Sequence, residues 1–167
     1  MPHDFPAAIL VIQHLDPRHR SLMADILARR TQLKVREAQH DDPVTAGVVA
    51  VAPPDRHLLV TPDRTLALTH TELVHFLRPS ADLLFESVAA SYGDRAIAVV
   101  LTGTGSDGSM GVQAIKKMRG TVIAQDPDSA EFSGMPEAAM ATGCVDFVLP
   151  LTEIAGALLA LVTGTGG

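Results

Sequence analysis

In Ala96-Ile97-Ala98-Val99-Val100-Leu101-Thr102-Gly103-Thr104-Gly105-Ser106-Asp107-Gly108 an unbroken apolar run gives way to glycines and a single carboxylate. A run of that kind suits a parallel strand covered on both faces. From Ser109 the pattern turns helical: Met110, Ala114, Ile115 and Met118 fall on one face, which is the expected buried face. Lys116, Lys117 and Arg119 lie near the C-terminal dipole end, and Gly120 stands where a C′ glycine is expected. The unit is strand, glycine-rich loop, helix. In open α/β sheets ligands gather beyond the carboxyl ends of the strands, where this loop would lie.

The chain of 167 residues is 47% hydrophobic, enough for one sizeable core, and one domain is expected over 1–163 with a loose tail at 164–167. A net charge of -6, 4% aromatic residues and no tryptophan argue against a nucleic-acid groove, and anionic membrane surfaces are disfavoured for the same reason. No apolar stretch approaches membrane-spanning length, so no direct membrane insertion is expected. The lone Cys144 cannot form an internal disulfide, and no signal-peptide pattern stands before the first strand. The expected compartment is the cytoplasm.

Outward from the central unit the same alternation repeats. Ala7 to Gln13 reads as a buried parallel strand with neighbours on both sides, followed by His14 at its carboxyl end. Asp16 and Pro17 then open a helix that buries Leu22, Met23, Ile26 and Leu27. Lys34 to Ala38 and Val48 to Ala52 are short strands. His57 to Thr61 and Leu66 to Thr69 are joined by tight Pro-Asp turns, so a small antiparallel meander is expected between Val48 and Thr69. Ser80 is placed to cap a helix carrying Leu84, Phe85, Val88, Ala89 and Tyr92 inward, closed by Gly93. Beyond the central unit come a strand at Thr121 to Gln125, a helix at Pro136 to Ala141 stopped by Gly143, a strand at Val145 to Leu149 and a helix at Ile154 to Val162. The predicted fold is α/β, doubly wound, with a mainly parallel sheet and helices on both faces.

Three groups of residues carry potential chemistry. Gly103, Gly105 and Gly108 match a dinucleotide fingerprint as a string, with Asp126 at the end of the next strand. Against an NAD-type reading, Asp107 inside the loop would repel the pyrophosphate that a helix N-terminus attracts. Asp107 reads either as a carboxylate held by free amides at a helix N-terminus or as the partner of an imidazole, and the two roles are compatible. His14 also follows a parallel-type strand, at the edge where side chains from separate strands can meet, and a His with an Asp partner is two thirds of a hydrolytic triad. His70, Glu72 and His75 lack a zinc spacing, so no metal is expected there, and Cys144 reads as a small core residue.

Taken together, Val11-Ile12-Gln13-His14, Gly47 through Pro53 with Asp55-Arg56-His57, Arg78-Pro79-Ser80, Leu101 through Gly108, Ala124-Gln125-Asp126 and Gly134-Met135-Pro136 resemble the catalytic domain of chemotaxis protein-glutamate methylesterases of the CheB type. The resemblance runs nearly end to end. It implies hydrolysis of glutamate methyl esters, and deamidation of glutamines, on the cytoplasmic domains of methyl-accepting chemoreceptors, without a cofactor. By position it implies that His14 is the general base and Asp107 the acid that orients it. Gly103, Thr104 and Gly105 would form the oxyanion and active-site loop, and Arg78 and Ser80 would line the substrate cleft. Thr104 stands where the family often has methionine.

The resemblance also places the nucleophilic serine in a glycine-rich turn after a strand upstream of the histidine-bearing one. This chain starts six residues before that histidine strand, and Ser21, Ser80, Ser106 and Ser133 do not match the serine's context. The expectation is therefore a catalytic domain without its nucleophile strand and without a preceding receiver domain. The alternatives are a catalytically inactive receptor-binding or regulatory module and, further off, a dinucleotide-binding domain. A sheet edge left by the missing strand could be filled by a second copy of the chain, which makes a homodimer an expected alternative.

Overall fold

The computed structural model describes residues 2, 4–14, 23–74 and 78–164. The chain divides into two compact units, Met1–Ser80 with Ala155–Gly167, and Ala81–Ile154.

The first unit contains β1 (Ile9–Val11), α1 (Met23–Ala28), β2 (Lys34–Glu37), β3 (Val48–Val51), β4 (His57–Val60) and β5 (Leu66–Thr69). β1, β3 and β2 form a parallel sheet in that order, with Ile9 opposite Val49 and Lys34 opposite Val48. The middle strand carries the densest apolar run, and Val49, Ala50 and Val51 are buried. β1 has one partner among the described strands and is only half-buried, where the sequence pattern predicts neighbours on both sides. Phe5, Leu33, Val49 and Val51 form the core, with Met23, Ala24 and Leu27 of α1 packed on it. Ile26 departs from its expected place and is 50% exposed, while the predicted cap at Asp16-Pro17 and Leu22 lie outside the described residues.

β4 and β5 pair antiparallel, with His57 opposite Thr69 and Val60 opposite Leu66. Their connection is closed by Arg64 at φ 60 and by the Thr61 and Thr65 hydroxyls 2.8 Å apart. The expected meander from Val48 is thus a two-stranded hairpin. Val48–Val51 belongs to the parallel sheet, because its unbroken apolar run lets it be covered on both faces.

The second unit contains α2 (Ala81–Tyr92), β6 (Ile97–Val100), α3 (Ser109–Lys117), β7 (Thr121–Gln125), α4 (Gly134–Ala141) and β8 (Phe147–Leu149). Helix α5 (Leu151–Thr163) begins here, and from Ala155 onward its residues belong to the first unit. β6, β7 and β8 form a second parallel sheet, each joined to the next through a helix as parallel pairing requires. Val122, Ile123 and Ala124 of the central strand are fully buried, and Val112, Ile115, Ala98 and Val100 pack the core beside it.

Of the face expected inward on helix α3, Ile115 is buried and Ala114 packs on the core, but the two methionines turn outward. Gly111, Val112 and Ile115 are buried, whereas Met110 is 55% and Met118 43% exposed. The cause is Gly111: a Cβ there would lie 2.6 Å from the Phe85 Cβ, so the absent side chain is what lets α2 come this close. The helix end differs too. Arg119, not Gly120, takes the left-handed C′ position at φ 66; its amide donates to the Lys116 carbonyl and that of Gly120 to the Ile115 carbonyl. Gly120 is needed for space instead, since a Cβ would sit 2.6 Å from the Ala96 carbonyl oxygen.

Candidate functional site

The two buried carboxylates of the second unit cap each other's helices. Asp107 precedes α3, yet its carboxylate serves α2: the Ala81 amide donates to Oδ2 at 2.6 Å and the Asp82 amide to Oδ1 at 3.1 Å. Asp82 lies in the first turn of α2, and its Oδ1 accepts from the Gly108 amide at 3.0 Å and the Gly111 amide at 2.7 Å, at the start of α3. Each carboxylate satisfies orphan donors of the other's helix and sits at its positive dipole end. Burial pushes the Asp82 carboxyl above its ordinary value of 3.8 and the nearby Asp107 adds to that shift, while the Gly111, Gly108 and Met110 amides pull it down. The helix-terminus role expected for Asp107 is found, but on α2. Ser80, expected as that helix's cap, is buried immediately before it.

The glycine-rich loop is strapped to the segment before α4. The Thr102 amide donates to Gln125 Oε1 at 2.9 Å, the Phe132 amide to Thr102 Oγ1 at 2.8 Å and the Gly103 amide to the Phe132 carbonyl at 2.9 Å. The Met135 amide returns a bond to the Gly103 carbonyl at 2.9 Å. Gln125, itself buried, spends its amide nitrogen on Ser129. With its N–H engaged, Gly103 gives the loop shape rather than an oxyanion donor, which leaves the amides of Thr104 and Gly105 as candidates. Gly134 lies against this loop, and a Cβ there would come within 3.1 Å of the Gly105 backbone.

In the first unit His14 is half-buried, just past the carboxyl end of β1. Arg78 is fixed from two sides: its Nε donates to Asp55 Oδ1 at 2.8 Å and one terminal nitrogen to the Thr71 carbonyl at 2.9 Å. Asp55 Oδ2 also pairs with His70 Nε2 at 3.0 Å, and these contacts hold its carboxyl below the ordinary 3.8, His70 first and Arg78 next. A shallow hollow of about 580 Å³ opens beside the ends of β2 and β3, lined by Glu37, Gln39, His40, Asp55, Arg56 and Leu68 among others.

The sequence motifs single out Asp107 and Arg78 but not the residues that hold them. Asp82 offered a signal, a carboxylate in the first turn after a predicted cap; Asp55 and Gln125 stood only inside motifs. His70 is tied to Asp55, and His75 lies outside the described residues. Among the described residues no cluster of three or more His, Cys, Asp or Glu could hold a metal ion, and no helix is long and apolar enough to cross a membrane.

Parallel strands joined through helices, with a glycine-rich loop and a buried carboxylate just past the carboxyl end of one of them, define an α/β protein of the kind that works from loops at strand ends. The family model for CheB methylesterase matches residues 1–158. The chain belongs to the CheB methylesterase family. It is 40% identical over 170 aligned positions to a protein-glutamate methylesterase/protein-glutamine glutaminase of Moorella thermoacetica, covering 99% of this chain and 40% of that protein. A protein-glutamate methylesterase/protein-glutamine glutaminase 2 of Anaeromyxobacter dehalogenans is 44% identical over 161 positions, covering 96% of this chain and 47% of that protein. The chain thus spans less than half the length of these two curated relatives. The crystal structure of the Thermotoga maritima CheB methylesterase catalytic domain superposes with a TM-score of 0.92 at 35% identity, covering 96% of this chain and 87% of that one.

Proposed function

We propose that the chain is the body of a protein-glutamate methylesterase and protein-glutamine glutaminase, acting on the cytoplasmic domains of chemoreceptors, with His14 and Asp107 as two members of a Ser-His-Asp triad. The observation that carries this reading is Asp107. Within a family match that spans 1–158, it is buried and fixed by two backbone amides at the end of the glycine-rich loop, as an orienting carboxylate must be. In this reading His14 takes the proton of a serine hydroxyl as its oxygen attacks the ester carbonyl, and returns it to the departing methanol. Water then cleaves the acyl-serine by the same route, and amides of the Thr104–Gly105 turn face the oxyanion. Arg78, held by Asp55 and Thr71, lines the cleft, whereas Ser80, expected beside it, is buried and offers the cleft no surface.

The serine lies outside this sequence in this reading. Ser80 is nearly without exposure, Ser87 donates to the Leu84 carbonyl inside α2, and Ser129 is engaged by Gln125 and Asp126. The cytoplasm is the compartment. The second edge of β1, without a partner among the described strands, is where the nucleophile strand or a second copy of the chain would add. A dinucleotide is disfavoured by charge and occupancy together: the Gly108 and Gly111 amides, which a pyrophosphate would use, already serve Asp82.

The test is methanol release from methylated receptor by three proteins: this chain, the chain joined to an upstream segment bearing a glycine-rich serine turn, and that longer protein with His14→Ala. Turnover is expected only from the second. Turnover by this chain near that rate, with covalent labelling of one of its own serines, would show the nucleophile assignment wrong. A longer protein that contains the serine and stays inactive would favour the inactive receptor-binding module.

A further inference from the structure

Asp82 has no part in the chemistry above, yet it grips Asp107 twice. Its backbone amide donates to Asp107 Oδ1 at 3.1 Å. Its own Oδ1 accepts at 3.0 Å from the Gly108 amide, which belongs to the peptide group immediately after Asp107. A further bond at 2.7 Å from Gly111 ties the same oxygen to the first turn of α3. Gly108 sits at φ 98, one of the many conformations open to a glycine, so the bond to Asp82 is what selects it and holds that peptide in one orientation.

We propose that Asp82 is the positioning residue for Asp107: with one carboxylate oxygen and one amide it fixes both the side chain of Asp107 and the peptide that sets its direction. Only a group that accepts from two converging amides fits, and a carboxylate forms the stronger, charge-assisted bonds there. The arrangement also explains an acid 4% exposed in a core, which without partners would be costly to bury. The catalytic meaning of the grip rests on the reading of Asp107 as the orienting acid, while the grip itself does not.

The experiment uses the full chain labelled with 15N and with 13C at carboxyl carbons, as wild type, Asp82→Asn and Asp82→Ala. Both variants remove the charge, but asparagine keeps an Oδ1 acceptor, so the difference between them isolates the grip from the electrostatic effect of Asp82. With alanine, the Gly108 and Gly111 amides are expected to exchange with solvent about tenfold faster, the measure of one charge-assisted bond. The Asp107 carboxyl titration is expected to move away from that of the asparagine variant, which stays with slow exchange. Identical Asp107 titrations in the two variants would overturn the proposal. In the wild type, a scalar coupling between the Gly108 nitrogen and the Asp82 carboxyl carbon is expected, and its absence would overturn the proposal even if the alanine variant does not fold. Loss of methanol release when Asp107→Asn is made in the longer, serine-bearing protein bears on the triad alone, so the two readings fail separately.

Discussion

Gly111→Ala tests the contact on which the carboxylate exchange depends. The new Cβ would fall 2.6 Å from the Phe85 Cβ, 2.9 Å from its Cδ2 and 3.1 Å from the Asp82 Cα. Comfortable carbon contacts begin at about 3.5 Å, so α2 and α3 must separate by about 1 Å, because a Cβ and a Cα cannot rotate away. That shift stretches the 2.7 Å bond from the Gly111 amide to Asp82 beyond hydrogen-bond range. Overpacking of this kind costs about 1–3 kcal/mol and a lost bond to a charged group about 1.5–3, while alanine returns about 1 in helix propensity. The net loss is about 3 kcal/mol. With a urea dependence of about 2 kcal/mol per molar, the unfolding midpoint should fall by about 1.5 M at unchanged slope. Equilibrium unfolding followed by circular dichroism measures it. A midpoint within about 0.25 M of wild type, a difference of about 0.5 kcal/mol at that slope, would refute the claim that glycine is required for the close approach.

Two further outcomes follow from backbone and charge. Arg119→Gly relieves a left-handed residue at the exposed C′ position of α3, and the gain of about 0.5–1 kcal/mol should raise the melting temperature by about 1–4 °C in a thermal scan. The Asp55 carboxyl titrates below its ordinary 3.8 because His70 and Arg78 hold its charged form, so its stabilisation is complete above pH 3.8 and is lost as pH falls through the lower folded value. Asp55→Asn should flatten the stability profile below pH 3.8 while lowering stability at neutral pH, and acid-limb unfolding curves that match wild type would count against the cluster.

Elements set by local pattern were legible in the sequence. β7 runs from Thr121 to Gln125 as its apolar run predicts, and the β4–β5 hairpin reverses at Pro62-Asp63, because periodicity and turn residues act over a few positions. What depends on two helices meeting was not legible. Met110 and Met118 line up with Ile115 at helical spacing, but Gly111 decides that Val112 and Ile115 go inward without them, and a glycine adds nothing to an apolar count. Asp107 was singled out by its place beside the glycines, while two amides that hold it, those of Ala81 and Asp82, lie 26 and 25 positions away. Asp82 was missed for the same reason, since its carboxylate answers to α3 rather than to its own helix.

The strap on the glycine-rich loop changes where its shape is encoded. Thr104 is exposed at the loop's tip, and substitution there meets little resistance from its surroundings. The curvature beneath is dictated by Phe132 and Met135 backbone groups and by the missing side chain of Gly134, with Thr102 and Phe132 standing 30 positions apart. A lineage could therefore vary the exposed tip by single changes at position 104 while the loop's outline is inherited from a distant segment. Anyone transplanting this loop into another scaffold would have to carry Gln125 and 130–135 with it, or receive the letters of the motif without its form.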